Sequence, residues 1–281
     1  MLEKRPPEGA DGRCPAAPRR LVPGKRGIQA SLRVHRGTAP PCHVPRPVPE
    51  APAMTDSASH PAPIAPKLAP KLALVTGASR GLGAAMAEDL AAQGWHVLAV
   101  ARTTGALEEL DDRIQAAGGQ ATLAPMDVTD PDAMAHLAGS IAARWGSLQL
   151  WVHTAIHAAP MAPAAHMDAK DMAKSVATNL TATATLIGVL EPLLRAGHGT
   201  ALMLDDPRGG QKFFGAYGAT KAAQMALVRS WQAETVKIGP RVLIAEPAPM
   251  ATATRARFYP GEDRAPLAST RAEAERLIAL L

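Results

Sequence analysis

The chain has 281 residues, with 26 Pro, 23 Gly, two Cys and few aromatic side chains. Its formal charge of +5 is uneven: residues 1–53 carry ten Lys and Arg against four acids, and the other 228 carry 20 against 21. The basic excess that would suggest nucleic acid therefore lies outside the main body. Both cysteines, Cys14 and Cys42, lie there too, which excludes a disulfide framework and a thiolate metal site from the body.

Residues 1–70 hold 15 of the 26 prolines and show no helical or strand period. Each proline removes a backbone donor, and apolar bulk is too sparse to offset the entropy of ordering. A disordered extension over 1–70 is expected. It has no apolar core of a secretory signal, so a cytoplasmic location is expected. Met54, in Met54-Thr55-Asp56, is a candidate true start. No run approaches the ~18 apolar residues of a membrane span. The run around Val176–Leu190 is broken by Asn179 and several Thr, and no membrane partner is expected.

Residues 71–281 are expected to form one α/β domain. Lys71–Thr76 predicts a first strand, and Arg80–Gln93 a helix stopped by Gly94. A second strand is predicted at His96–Ala101 and a helix from about Thr104 to Ala117, closed by Gly118-Gly119. Thr122–Met126 predicts a third strand. Asp130 as N-cap and Pro131 in the first turn open the next helix, with Met134, Leu137, Ile141 and Trp145 on one face. Leu148–Val152 predicts a fourth strand and Asp168–Leu190 a long helix. Thr200–Leu204, Gly218–Lys237 and Arg241–Ala245 predict strand, helix and strand. Thr270-Arg271-Ala272-Glu273 has the pattern of a capping box that opens a last helix. Right-handed crossovers make this a doubly wound parallel sheet of the Rossmann type, with six or seven strands in order 3-2-1-4-5-6(-7).

Between the first strand and its helix lies Thr76-Gly77-Ala78-Ser79-Arg80-Gly81-Leu82-Gly83. Glycines there let the backbone turn tightly and approach a pyrophosphate, and the helix N-terminus supplies free N–H groups. Ser79, Leu82 and the three glycines are therefore candidate cofactor contacts. An NAD site wants a carboxylate at the end of the second strand. This chain has Ala101-Arg102 instead, with Arg80 in the loop. Two guanidinium groups suit a 2′-phosphate, so NADP(H) is the expected cofactor. Asp127-Val128 sits where a carboxylate would accept from the adenine amino group; a plain helix-preceding Asp is the competing reading.

Tyr217 and Lys221 form Tyr-x-x-x-Lys at a helix start. An i, i+4 pair shares one face, so the ammonium can lower the phenol pKa. Together, Thr76–Gly83, Asp127, Asn179, Tyr217 and Lys221 resemble the short-chain dehydrogenase/reductase family over Lys71–Leu281. Within it, a stretch from Arg241 through Asp263 is similar to a group of uncharacterised bacterial oxidoreductases. The resemblance implies hydride transfer between nicotinamide and a carbonyl or alcohol carbon. Tyr217 would give or take the hydroxyl proton, Lys221 would hold the nicotinamide ribose, and Asn179 would hold a relay water. No metal is expected.

The chain departs from the family pattern at three places. The family's serine after the fifth strand is absent, and Asp206, beside Asp205, most nearly occupies its position. An ionised carboxylate there would repel an oxyanion and raise the tyrosine pKa; a protonated one could donate a hydrogen bond. The Asn-Asn-Ala-Gly after the fourth strand reads His153-Thr154-Ala155-Ile156, leaving Ala155 beside the cofactor and His153 to bond between strands or to act as a catalytic histidine. The Pro-Gly after the sixth strand reads Pro247-Ala248-Pro249, with Thr252 beyond it for the carboxamide end. The family's additional strand is also not evident before Leu281.

Met161, Met167, Met250, Phe258 and Tyr259, with Arg255, Arg257 and Arg264, suggest an apolar substrate pocket with a basic rim. The resemblance implies a homodimer or homotetramer built on the helices bearing Asn179 and Tyr217. The expected function is an NADP(H)-dependent carbonyl reductase or alcohol dehydrogenase. The alternative is a dinucleotide-binding protein with little turnover, because Asp206 stands where a hydroxyl is expected.

Overall fold

The computed structural model describes residues 71–281. The disorder expected of 1–70, and the start at Met54, lie outside the described residues.

Among the described residues, six strands form one parallel sheet: β1 Leu72–Thr76, β2 His96–Ala101, β3 Gln120–Pro125, β4 Leu150–His153, β5 Thr200–Leu204 and β6 Arg241–Ala245. Their order is β3-β2-β1-β4-β5-β6, as expected of the doubly wound class. The whole of β1, Leu-Ala-Leu-Val-Thr, is buried, as a central strand covered on both faces requires. Its side chains alternate between two cores. Leu72 and Leu74 join Trp151, Met134, Leu186, Leu190 and Trp231 on one face. Ala73 and Val75 join Val152, Met86, Leu90, Leu107 and Leu277 on the other.

Among the described residues, eight α-helices flank the sheet: α1 Gly81–Ala92, α2 Thr104–Ala116, α3 Pro131–Trp145, α4 Ala169–Ser175, α5 Ala182–Ala196, α6 Gly215–Thr235, α7 Ala253–Phe258 and α8 Thr270–Ile278. Local chemistry sets their ends. Asp130 caps α3 by accepting from the N–H groups of Asp132 and Ala133, and Gly146 closes it with a left-handed φ of 75°. Strand β3 begins two residues earlier than predicted, directly after the turn at Gly118-Gly119. It ends on Pro125, which an edge strand tolerates.

Two expectations need correction. The last helix is capped by Ser269, whose hydroxyl accepts from Ala272 N–H, and Thr270 is its first residue. Glu273 therefore falls one position past the capping-box partner and turns elsewhere. The apolar run is also more continuous than expected. With a π-helical turn at Val176–Thr181, α4 and α5 make one 28-residue helix, Ala169–Ala196, long and apolar enough by length and composition to cross a membrane. Here Ala182, Leu186, Leu190 and Leu194 pack it into the sheet's core.

The register places Thr76 beside both Val100 and His153, and His153 beside Met203. The carboxyl ends of β1, β2, β4 and β5 therefore open together at one edge, where ligands sit in open α/β sheets.

Candidate active site

The loop after β1 is shaped by close approach. Gly77 has φ +86°, and a Cβ on it would lie 2.6 Å from Ala155 N. A Cβ on Gly83 would collide with Gly77 O and Thr154 Oγ1. Gly77 N–H donates to Val100 O at 2.8 Å, which fixes the turn. Helix α1 then begins at Gly81 without a side-chain cap and without an acid in its first turn. Its first N–H groups and the positive end of its dipole face the cleft unopposed, as an anion site needs.

That cleft encloses about 600 Å³. It is bordered by Gly77, Ser79, Arg80, Gly81, Leu82, Gly83, Arg102, Asp127, Val128, Ala155, Asp206, Tyr217, Lys221, Pro247 and Thr252. These are the residues expected there, Asn179 excepted. Arg102 lies 3.8 Å from Asp127 and is largely exposed. Asp127 accepts from Thr129 N–H and Oγ1, both at 2.9 Å, so it also anchors the turn into α3. A glycine cradle, an uncapped helix end and two guanidinium groups fit a phosphorylated dinucleotide.

Tyr217 sits in the first turn of α6, packed against Phe258 with ring centroids 4.8 Å apart. Its Oη donates to Asp206 Oδ2 at 2.9 Å, and Arg208 Nε donates to Asp206 Oδ1 at 2.8 Å. The carboxylate thus accepts on both oxygens. Burial pushes the Tyr217 phenol well above its ordinary pKa, and Asp206 pushes it further. Lys221, one turn on, is buried, and its Nζ donates to Gln224 Oε1 at 2.7 Å. Burial lowers its pKa to about 8, against the opposing pull of Asp205 and Asp206.

Asn179 stands apart from the cleft wall. It is buried in the π-helical turn, where its Oδ1 accepts from His157 N–H at 2.7 Å and its Nδ2 donates to His157 O and Thr220 Oγ1, both at 3.0 Å. Its side-chain amide is engaged on both atoms as a brace between helix and loop. A π turn forms where one residue is inserted in an α-helix, and residue spacing alone does not reveal it.

His153 bonds between strands as expected. Its Nδ1 lies 2.8 Å from Thr76 Oγ1 and its Nε2 lies 3.2 Å from Thr183 Oγ1. Burial, with Lys221 nearby, lowers its pKa to about 3, so it is neutral and committed on both nitrogens. Those are poor terms for the catalytic role considered for it.

The substrate side is less basic than expected. Arg255 is clamped bidentately by Glu262 at 2.7 and 2.6 Å, and Arg257 Nη1 donates to Ala158 O at 2.7 Å. Met161 and Met167 do not border the cleft, whereas Met250, Phe258 and Tyr259 do. The cation beside the tyrosine is Arg208, which the sequence pattern did not single out. Glu273, expected as the capping-box acid of the last helix, is instead 3% exposed, accepts from Ala248 N–H at 2.9 Å and binds Arg276. Pro247 and Pro249 have no N–H, and the Ala248 N–H between them is engaged by Glu273. Thr252 Oγ1 caps α7 by accepting from Arg255 N–H at 3.2 Å.

Known proteins resemble this chain in sequence and fold. The family described as short chain dehydrogenase matches residues 71–263. A fatty acyl-CoA reductase of Acinetobacter baylyi is 33% identical over 171 residues, 59% of this chain and 58% of that protein. The chain thus spans little more than half the length of that relative. An uncharacterised oxidoreductase of Mycobacterium tuberculosis is 31% identical over 194 residues, 68% of this chain and 72% of that protein. A metagenomic short-chain oxidoreductase, solved in complex with NADP, superposes with a TM-score of 0.64 at 26% identity, covering 75% of this chain and 89% of that one. With the glycine loop, the strand order and the match over most of the described residues, the chain belongs to the short-chain dehydrogenase family.

Proposed function

We propose that this protein is an NADP(H)-dependent oxidoreductase that acts on a carbonyl or alcohol substrate. One observation carries the reading: the uncapped start of α1, with its glycine cradle, opens on the same cleft as Tyr217 and Lys221. The preference for NADP(H) rests on Arg80 and Arg102 at that cleft, with no carboxylate at the end of β2. The relative solved with NADP supports it.

When bound, the nicotinamide supplies or accepts the hydride. The chain's residues handle binding and the proton. The first N–H groups of α1 hold the pyrophosphate, and the two guanidinium groups hold the 2′-phosphate. Lys221 binds the ribose hydroxyls. Tyr217 holds a proton on Oη, and its raised pKa keeps it there at neutral pH. A protonated phenol is the form that carbonyl reduction requires; alcohol oxidation requires the phenolate. The resting phenol is thus in the form that serves as the acid in carbonyl reduction.

A second reading has its own observation. The Tyr217 hydrogen is given to the Asp206 carboxylate, in a place where negative charge opposes a developing oxyanion. On that reading the protein binds dinucleotide with little turnover.

One experiment separates the two. NADPH and NADH binding are followed by fluorescence, and carbonyl turnover is then screened in wild type, Asp206→Ser and Tyr217→Phe. NADPH binding with turnover that Tyr217→Phe abolishes supports the reductase. Binding with turnover only in Asp206→Ser supports the binding protein. Failure to bind NADPH overturns both.

A further inference from the structure

Lys221 is the end of a buried chain of polar side chains. Its Nζ donates to Gln224 Oε1 at 2.7 Å, and Gln224 Nε2 donates to Thr183 Oγ1 at 2.8 Å. Thr183 Oγ1 donates to Asn179 O at 2.9 Å and lies 3.2 Å from His153 Nε2. His153 continues the chain to Thr76 on β1. Gln224 is 1% exposed and Thr183 fully buried. A primary amide at that depth is costly unless its groups are engaged. Here the carbonyl faces the ammonium and the N–H faces the hydroxyl.

We infer that Gln224 is a positioning residue: braced by Thr183, it fixes the Lys221 ammonium at the cofactor cleft and ties it to the carbonyl of Asn179. This deepens the proposed function and rests on that reading for what Lys221 holds. Hydroxyls and waters pass a proton by exchanging donor and acceptor roles. An amide can do so only through its imidic acid form. The Gln224 link therefore holds the ammonium in place and does not conduct protons from it. The orientation is determined by the hydrogen count. Lys221 is donor-only when charged, so it takes the amide oxygen, which leaves the amide N–H for Thr183. The other groups facing Lys221 are Tyr217 on its own helix, Asp205 and Asp206 after β5, and neutral His153 on β4.

The test reads Lys221 directly, in the full chain without cofactor. Lysines are labelled at 13Cε, and the Lys221 resonance is identified by its loss in Lys221→Met. Its titration is compared in wild type, Gln224→Leu and Gln224→Glu, with NADPH affinity followed by fluorescence. A hydrogen bond to a charged group accounts for about one pKa unit. Gln224→Leu should lower the Lys221 midpoint by about one unit and weaken NADPH about tenfold, and Gln224→Glu should raise the midpoint. Opposite shifts show that residue 224 faces the ammonium, and a Gln224→Leu variant that folds and binds NADPH as tightly as wild type overturns the positioning role. If Gln224→Leu does not fold by circular dichroism, Thr183→Val carries the test with a smaller downward shift. Unchanged midpoints, or shifts of one sign in both variants, overturn the inference. Midpoints shifted in the two variants, where the wild type binds no NADPH, support the Gln224 role and overturn the functional reading alone.

Discussion

Tyr217 Oη and Asp206 Oδ2 lie 2.9 Å apart, with the phenol as donor. The relationship fixes the tyrosine's proton and its charge state together. The carboxylate rewards the protonated phenol and penalises the phenolate, and burial works in the same direction. Arg208 offsets part of the penalty by binding the other carboxylate oxygen.

Replacing Asp206 by Ser removes the charge and leaves a donor. The Tyr217 pKa should then fall toward the ordinary range, and carbonyl turnover should rise at least about tenfold. The chain has two tyrosines, Tyr217 and Tyr259, so an ultraviolet difference titration can assign the change with Tyr217→Phe as control. An unchanged phenol titration in Asp206→Ser would sink the charge argument.

The cofactor preference makes a separate prediction. Arg102 is mostly in solvent and only 3.8 Å from Asp127, so it is free to move onto a phosphate. Arg102→Ala should weaken NADPH by roughly tenfold or more, the value of one charge-assisted hydrogen bond, and leave NADH unchanged. Arg80→Ala should act likewise, and the double variant should lose most of the preference. Equal losses for both dinucleotides, measured by fluorescence titration, would show that neither guanidinium reads the 2′-phosphate.

Much of the fold and half of the site could be read from the residues alone, because their signals are local. The glycine loop, the Asp130-Pro131 helix start and the Tyr-x-x-x-Lys pair depend on residues within a turn or two of each other. The missed parts depend on distant contacts. Asn179 faces inward because a π turn rotates it toward His157 and Thr220. Gln224 and Thr183 are 41 positions apart, and nothing in either helix's period joins them. Arg208 is the local exception, two positions from Asp206, and Glu273, expected to cap its own helix, instead reaches Ala248, 25 positions away. Arg255 and Arg257 erred the other way, as rim cations that turn out to be bound to Glu262 and Ala158.

His153 predicts an acid-labile fold. Its folded pKa is about 3 against an ordinary 6.5. A histidine with a depressed pKa contributes stability above its unfolded value, and that contribution is lost as pH falls toward the folded value. Between those limits the unfolded chain binds one more proton, so stability should fall by about 1.4 kcal/mol per pH unit from this group. Denaturant unfolding at several pH values in this window, for wild type and His153→Asn, measures the slope. The variant should have a shallower slope, whatever its absolute stability; an equal slope would mean that His153 is not held neutral in the fold.

Glu273 should stabilise the proline-bounded loop after β6. It is buried, and its oxygens take Ala248 N–H and the Arg276 guanidinium. These bonds hold its carboxyl below the usual range, with the Arg276 bond foremost. A depressed carboxylate contributes stability that is present above its unfolded pKa and is lost as pH falls through the folded one. Glu273→Ala leaves Ala248 N–H without its partner and should cost about 2 kcal/mol at neutral pH. Glu273→Gln keeps an acceptor for Ala248 but gives up the charge, so it should cost about half as much. At low pH the wild-type carboxyl is protonated, and the gap between wild type and Glu273→Gln should close. Urea unfolding at neutral and acid pH tests this directly, and a gap that stays constant with pH would show that the Arg276 pair contributes no charge-dependent stability.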